Sequence, residues 1–333
     1  MKILIVRLGA IGDIVHTVPV AAALRRAHPG ATIDWLVERR HRAVVSLFPV
    51  TDRVIPIEPA GPWLATVQVV RDLRAARYDA VVDAQGLLKS AVLARLAGGA
   101  RTIGFARPWL REPMSARFYT ESVDASGTVH VVERNLRLLR ALGLDDPRIE
   151  TPLRALDATV ADDVVAAEGA RYGIVNPGAG WPNKQWPAER WGQVVAEIQR
   201  RHGFPWIVVW GPGEEGLARA VEEASAGVAM MAPPTTVEDL VALIERATIV
   251  LAGDTGPLHL AAAAGTPVVG VFGPTDPARN GPWSKADVSL SRFASCQCHH
   301  KRRCSAARWC LESVSVEEMV DAAERRLETV ETR

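Results

Sequence analysis

Short apolar runs rich in β-branched residues alternate along the chain with longer stretches whose apolar positions recur every three to four residues. The runs Ile3–Arg7, Thr32–Val37, Arg53–Ile57, Ala80–Asp83 and Thr102–Phe105 predict strands. Between them, Ile14–Ala27, Leu64–Ala76 and Leu87–Ala97 predict helices. The pattern weakens from about Gly143 to Asp163, a stretch rich in Pro, Asp and short polar runs. It then restarts, with strands predicted at Tyr172–Val175, Trp206–Trp210, Val228–Met231, Ile249–Ala252 and Val268–Phe272, and helices at Ala188–Arg201, Val237–Arg246 and Leu258–Ala264. Val316–Leu327 predicts a last helix. Alternation of this kind predicts parallel sheets covered on both faces.

The expectation is therefore an α/β protein of two Rossmann-like, doubly wound domains facing a central cleft. Domain one spans 1–160, domain two spans 161–312, and the helix within 313–333 is expected to pack back toward domain one. A length of 333 residues agrees, because single hydrophobic cores stop growing near 250–300 residues. The formal net charge of +1 excludes a general nucleic-acid binder, which needs a surplus of Lys and Arg. Any anion site must be local. The chain opens directly on a strand-like run with no signal-peptide pattern, and Gly265, Pro267, Gly270 and Pro274 interrupt its longest uncharged stretch. A cytoplasmic enzyme is expected. All four cysteines fall between Cys296 and Cys310, unlike the dispersed pairs of a secreted disulfide framework.

In doubly wound sheets ligands bind beyond the carboxyl ends of the strands, so the loops there are where chemistry is sought. The first loop is Gly9-Ala-Ile-Gly-Asp-Ile-Val-His-Thr17. Its glycines permit a tight turn, Asp13 is either a helix cap or a reactive carboxylate, and His16 lies one turn further on. Gly-x-x-Gly-Asp is not the dinucleotide fingerprint Gly-x-Gly-x-x-Gly, so that reading is set aside. The most informative loop is Gly253-Asp-Thr-Gly-Pro-Leu-His-Leu-Ala-Ala261. A strand ends there, Asp254 and Thr255 supply cap-type oxygens, and Pro257 suits the first helical turn. The free amides and positive dipole end of such a helix start make a site for a diphosphate, with Thr255 and His259 as further donors.

Four other stretches are candidates. Asn176-Pro-Gly-Ala-Gly-Trp-Pro-Asn-Lys184 reads as a phosphate-approach loop with a cation, and Trp210-Gly-Pro-Gly-Glu-Glu215 carries a carboxylate suited to ribose hydroxyls. Arg101 to Phe118 interleaves arginines with apolar residues, a composition that binds an acidic acceptor or rests on anionic headgroups. Cys296, Cys298, Cys304 and Cys310, with His299 and His300, could hold a metal, but C-x-C chelates less well than C-x-x-C. No metal is expected there.

Taken together, Gly12-Asp-Ile-Val-His-Thr-Val-Pro19, Val82-Asp-Ala-Gln-Gly-Leu-Leu-Lys-Ser90, Arg111-Glu-Pro113, Lys184-Gln-Trp-Pro187, Asp254-Thr-Gly-Pro-Leu-His259 and Phe272-Gly-Pro-Thr-Asp-Pro277 resemble the ADP-heptose:lipopolysaccharide heptosyltransferases of glycosyltransferase family 9. The heptosyltransferase I (WaaC-like) branch fits best. The resemblance implies a GT-B fold and an inverting transfer of heptose from ADP-heptose to a hydroxyl of the lipopolysaccharide inner core, on Kdo-lipid A or a related glycan. It implies no required cofactor, and a cytoplasmic enzyme with room for peripheral contact at the inner membrane. The family's general base falls on Asp13. Its donor contacts fall on Lys184, on Asp254, Thr255, Gly256, Pro257, Leu258 and His259, and on Glu214 or Glu215. Acceptor contacts are assigned to His16, Gln85, Lys89 and Arg111. The basic cluster that the branch carries after its third strand is missing, since Glu58-Pro-Ala-Gly-Pro-Trp-Leu64 holds no Lys or Arg. The identity of the acceptor stays open. A nucleotide-sugar epimerase or hydrolase and a non-catalytic nucleotide-sugar sensor are the alternatives.

Overall fold

In a computed structural model of the chain, which describes residues 1–58, 61, 63–156, 159–168, 171–299, 301–304, 306 and 309–331, the apolar runs become two separate sheets. The first contains β1 (Lys2–Val6), β2 (Thr32–Glu38), β3 (Arg53–Ile57), β4 (Ala80–Asp83), β5 (Arg101–Phe105) and β6 (Glu121–Val123), in the order β3-β2-β1-β4-β5-β6. The second contains β7 (Gly173–Asn176), β8 (Trp206–Val208), β9 (Ala229–Met231), β10 (Ile249–Gly253), β11 (Val268–Phe272) and β12 (Val288–Ser291), in the order β12-β11-β10-β7-β8-β9. Every pairing in both is parallel. Counted from its own first strand, each sheet has the 3-2-1-4-5-6 order of a dinucleotide-binding fold. Apart from Lys2 at the start of β1, the central strands are buried along their length, which is why they are almost wholly apolar.

The chain divides into two compact units, Met1–Arg154 and Ala155–Arg333. Helix Thr159–Glu168, within the stretch expected to be irregular, packs on helix Val237–Arg246 of the second unit. The single first helix expected over Ile14–Ala27 is two helices, Ile11–Val15 and Val18–Ala27. Pro19 has no amide hydrogen to continue the first into the second, and the Thr17 hydroxyl instead donates to the Asp13 carbonyl at 2.9 Å. β6 and β12 escaped sequence reading. Both are short sheet-edge strands, and β12 alternates half-buried and exposed residues.

The last helix is Val316–Glu331. Met319, Val320, Ala322, Ala323 and Leu327 are buried with Trp186, Trp191, Val269 and Val271 in the core of the second unit. Burying a side chain the size of Leu or Met contributes about 1.5–3 kcal/mol. Arg326 adds a buried ion pair to Asp287 at 2.9 Å. Among the described residues, no helix is long and apolar enough to cross a membrane.

Candidate functional site

The 3-2-1-4-5-6 order places a crevice-forming reversal between β1 and β4 in the first unit and between β7 and β10 in the second. Val6 lies opposite Asp83 across the first reversal, and Asn176 opposite Ala252 across the second. Most of the candidate residues follow these four strand ends.

In the first unit Asp13 sits in the first turn of helix Ile11–Val15, not at its cap, which is Ala10. The Asp13 carboxylate accepts from the Arg7 guanidinium at 2.6 Å and, at 3.3 Å, from the Ala10 amide. Its side chain remains 47% exposed. Arg7, which follows β1, is buried and donates through its other terminal nitrogen to the Ala84 carbonyl beyond β4, at 2.5 Å. Gln85 makes the reverse link, its side-chain oxygen accepting from the Leu8 amide at 2.8 Å. That carbonyl is committed to stitching the two strand ends. Asp83 is fully buried and gathers the Gln85 and Gly86 amides and the Ser90 and Tyr119 hydroxyls. Burial outweighs these four donors and pushes its carboxyl above the usual range.

The other acceptor candidates are spread out. His16 is buried, with its ring edge-on to His130 at 5.7 Å and its carbonyl accepting from Asn135. Lys89 is half exposed and paired with Glu38 at 2.8 Å. Arg111 is exposed, in a stretch where Arg107, Met114 and Arg117 are exposed as well. Of the stretch lacking a basic cluster, Pro59, Ala60 and Pro62 lie outside the described residues.

In the second unit the candidates converge. Asp254, 4% exposed at its side chain, pairs with Lys184, accepts from the Thr275 hydroxyl at 2.6 Å and the Asn280 amide at 3.3 Å, and meets His259 Nε2 at 3.1 Å. Burial alone would raise its pKa. The His259 hydrogen bond and the Lys184 charge overcome that and hold the carboxyl far below the usual range. Asp254 is therefore a fixed anion that aims Lys184 and His259. Lys184 also lies over the Trp181 ring at 4.6 Å. The Thr255 hydroxyl does not cap helix Gly256–Ala264 but donates to Asn176 at 3.2 Å. Asn176 in turn donates to the Val209 carbonyl, so three strand ends are joined. The helix begins with amides of Gly256 and Leu258 that have no intrahelical acceptor, Pro257 between them having no amide hydrogen to offer.

Geometry separates the adjacent glutamates. Glu214 folds back, accepting from the Gly211 amide at 2.9 Å, and its carboxylate lies against Gly178 so closely that an added Cβ there would stand 2.1 Å from an oxygen. Only glycine permits that approach. Glu215 faces outward to Arg219 at 2.9 Å, both side chains more than half exposed. Glu214 joins the phosphate-approach loop after β7, and Glu215 does not.

Cys296 and Cys298 are buried with their sulfurs 3.4 Å apart, and Asn183 donates to the Cys298 sulfur. Burial pushes the Cys296 and Cys310 thiols up, which favours the neutral form. His299 stacks on Phe293 at 4.1 Å and is bonded to its carbonyl, and His300 lies outside the described residues. Among the described residues, no group of three or more His, Cys, Asp or Glu side chains is arranged to hold a metal ion.

Sequence reasoning did not find Arg7, Thr275 or Asn280. Arg7 was read only as the last residue of a strand-like run. Thr275 was visible within Phe272–Pro277, but nothing local tied it to Asp254, 21 positions earlier.

Comparison with known proteins bears on these two constellations together. Residues 66–310 match the model of glycosyltransferase family 9 (heptosyltransferase). The chain is 33% identical over 318 residues to lipopolysaccharide heptosyltransferase 1 of Pseudomonas aeruginosa, covering 92% of this chain and 88% of that protein. Its fold matches the solved structure of Escherichia coli heptosyltransferase WaaC with ADP at a TM-score of 0.76 and 27% identity, covering 98% of this chain and all of the other. The structure of the same enzyme with ADP-2-deoxy-2-fluoro heptose matches equally well, at a TM-score of 0.76 over 97% of this chain and 99% of that one.

Proposed function

The chain belongs to glycosyltransferase family 9, and from that membership we propose that it transfers heptose from ADP-heptose to a hydroxyl of the lipopolysaccharide inner core, with inversion at the anomeric carbon. Its two Rossmann-like units are those of a GT-B enzyme. The observation that carries the reading is the Lys184–Asp254–His259 array at the start of helix Gly256–Ala264, a cation and free amides held by a buried anion. WaaC, 27% identical, is solved with ADP and with a fluorinated ADP-heptose, which supports a heptose-bearing donor here.

In this reading the acceptor hydroxyl attacks the anomeric carbon as the bond from that carbon to the diphosphate oxygen breaks. Asp13 takes the hydroxyl proton, a contribution worth about 10²–10⁴ in rate. Lys184 and the Gly256 and Leu258 amides meet the charge left on ADP. Glu214 is the carboxylate assigned to the donor, and Glu215 is released from that role. No cofactor enters the scheme. Exposed Met114 among Arg107, Arg111 and Arg117 supports an anionic acceptor and peripheral contact with the cytoplasmic face of the inner membrane. Gln85 acts as a structural link, and Lys89 is free for an acceptor only by releasing Glu38.

The test is ADP-heptose with a panel of inner-core acceptors, Kdo-lipid A among them. Acceptor-dependent release of ADP and a heptosylated product are expected. Conversion of the donor in the absence of any acceptor would sink transfer in favour of an epimerase or hydrolase.

A further inference from the structure

We infer that Arg7 is a positioning residue of the reaction, holding one oxygen of the Asp13 carboxylate so that the other is left to take the acceptor proton. The inference rests on the reading of Asp13 as the base. It goes beyond that reading by assigning a role to a residue that touches no reacting atom.

An arginine ending an apolar strand is most often a solvated charge. Arg7 is only 7% exposed. Its backbone is locked at both ends, the amide donating to the Leu36 carbonyl at 3.2 Å and the carbonyl accepting from the Trp35 indole at 3.1 Å. Its guanidinium spends one terminal nitrogen on Asp13 Oδ1 and the other on the Ala84 carbonyl. The buried Nε makes no hydrogen bond among the described residues. Among the described residues, Asp13 is thus the one anion bonded to this buried cation. Desolvation makes such a contact costly to leave unmade.

Asp13 itself rides on a helix of five residues, too short to be rigid alone. The Arg7 grip ties the carboxylate to the ends of β1 and β4, two buried central strands of the sheet. Oδ2 receives only the 3.3 Å contact from the Ala10 amide and keeps lone-pair capacity for a proton. Lysine could not reproduce the arrangement. It carries one nitrogen, whereas Arg7 uses two at different places at once. Loosening a reacting group by about 1 Å typically costs on the order of 10² in rate.

The experiment compares Arg7→Met, Arg7→Lys, Asp13→Asn and the double variant Arg7→Met/Asp13→Asn, measuring kcat, the KM of donor and acceptor, ADP affinity and Tm. Because Asp13 is half exposed, losing Arg7 leaves a hydrated carboxylate, not a buried one, and Arg7→Met is expected to fold. Its kcat is expected to fall about 10²-fold with KM and ADP affinity unchanged. Arg7→Lys keeps the charge but releases Ala84, and should recover about tenfold of the loss. In the double variant the two losses should not multiply, because aligning a carboxylate matters only while it is there. A near wild-type kcat in Arg7→Met, or losses that multiply, would overturn the inference. If Arg7→Met does not fold, Arg7→Lys decides alone, since a lowered kcat at unchanged KM supports positioning and an unchanged kcat removes it. Full activity in Asp13→Asn would instead overturn the base assignment, whatever the Arg7 variants do.

Discussion

Each unit places a carboxylate with a basic partner at the reversal of the same strand order, yet the two carboxylates differ sharply in burial and in number of partners. Asp13 has one strong partner and a side chain 47% exposed. Asp254 has Lys184, His259, Thr275 and Asn280 around a side chain 4% exposed. A carboxylate with spare lone pairs and access to solvent can exchange a proton. One whose oxygens are all committed in a dry site can only hold others still. Under the proposed mechanism, identical topology supplies a reagent in one half and a scaffold in the other, and burial with partner count decides which.

Substituting both positions tests that contrast most severely. Asp13→Asn is expected to lower kcat by about 10²–10⁴ with little change in Tm, because the side chain is half exposed. Asp254→Ala is expected to destabilise the second unit by about 3–5 kcal/mol, since it strands the mostly buried Lys184 without its anion. Hydrogen exchange should show the loss in β10 and helix Gly256–Ala264. If Asp254→Ala folds with wild-type stability while Asp13→Asn unfolds, the assignment of reagent and scaffold is reversed.

Next in size is Lys184. Removing it takes away a preorganised cation while leaving Asp254 with His259, Thr275 and Asn280 as partners, so kcat/KM for the donor is expected to fall about 10²–10³-fold with a parallel loss of ADP affinity. Lys89→Ala in the first unit breaks only a half-exposed pair with Glu38. Such pairs contribute about 0–1 kcal/mol, and donor kinetics should not move. Equal effects of the two substitutions on ADP binding would remove the case for a diphosphate site in the second unit.

How much of this was legible beforehand follows the range of the interactions. The central strands, the helix starting after β10 and the loops bearing Asp13, Lys184 and Asp254 were all visible, because local periodicity and Gly-Pro punctuation encode them. The environment of each residue was not. Nothing near Asp13 announced that Arg7 would be buried against it, since that follows from β1 lying beside β4, 77 positions away through Ala84. Gln85 looked like an acceptor contact because its neighbours form a motif, whereas its oxygen serves the Leu8 amide. The apolar face of the last helix was legible from its periodicity, but not that it would meet Trp186, Trp191, Val269 and Val271. Glu214 and Glu215 were inseparable by type, and Gly178 distinguishes them only in three dimensions.

The two glutamates give a smaller and sharper test on the second unit alone. Glu214→Ala is expected to raise the donor KM about tenfold to a hundredfold, the range for losing a hydrogen bond that involves a charge. Glu215→Ala removes one exposed ion pair to Arg219 and should leave KM unchanged. If the effects are exchanged, the carboxylate lying on Gly178 is a structural lock on its loop and the ribose assignment passes to Glu215.

The smallest effect expected concerns acid, and it sets the two units apart by sign. Asp254 has its folded pKa depressed, by His259 and Lys184 against the pull of burial. Its contribution to stability is fully present above the ordinary carboxylate value near 3.9 and fades only as pH falls through the lower folded value. Asp83 has its folded pKa raised by burial. Below about pH 4 it is protonated in both states and neutral in its effect, whereas above that the unfolded chain ionises first and stability falls with rising pH until the folded carboxyl also titrates. Asp83→Asn should remove that decline. An Asn oxygen can still accept the Gln85 and Gly86 amides, and its nitrogen can donate to the Ser90 and Tyr119 hydroxyls once these rotate. Hydrogen exchange at β4, followed from pH 4 to pH 7, should then show a flatter pH dependence than wild type with turnover unaltered. A steeper dependence would mean that Asp83 is ionised in the fold and that its four donors, not its burial, set its charge.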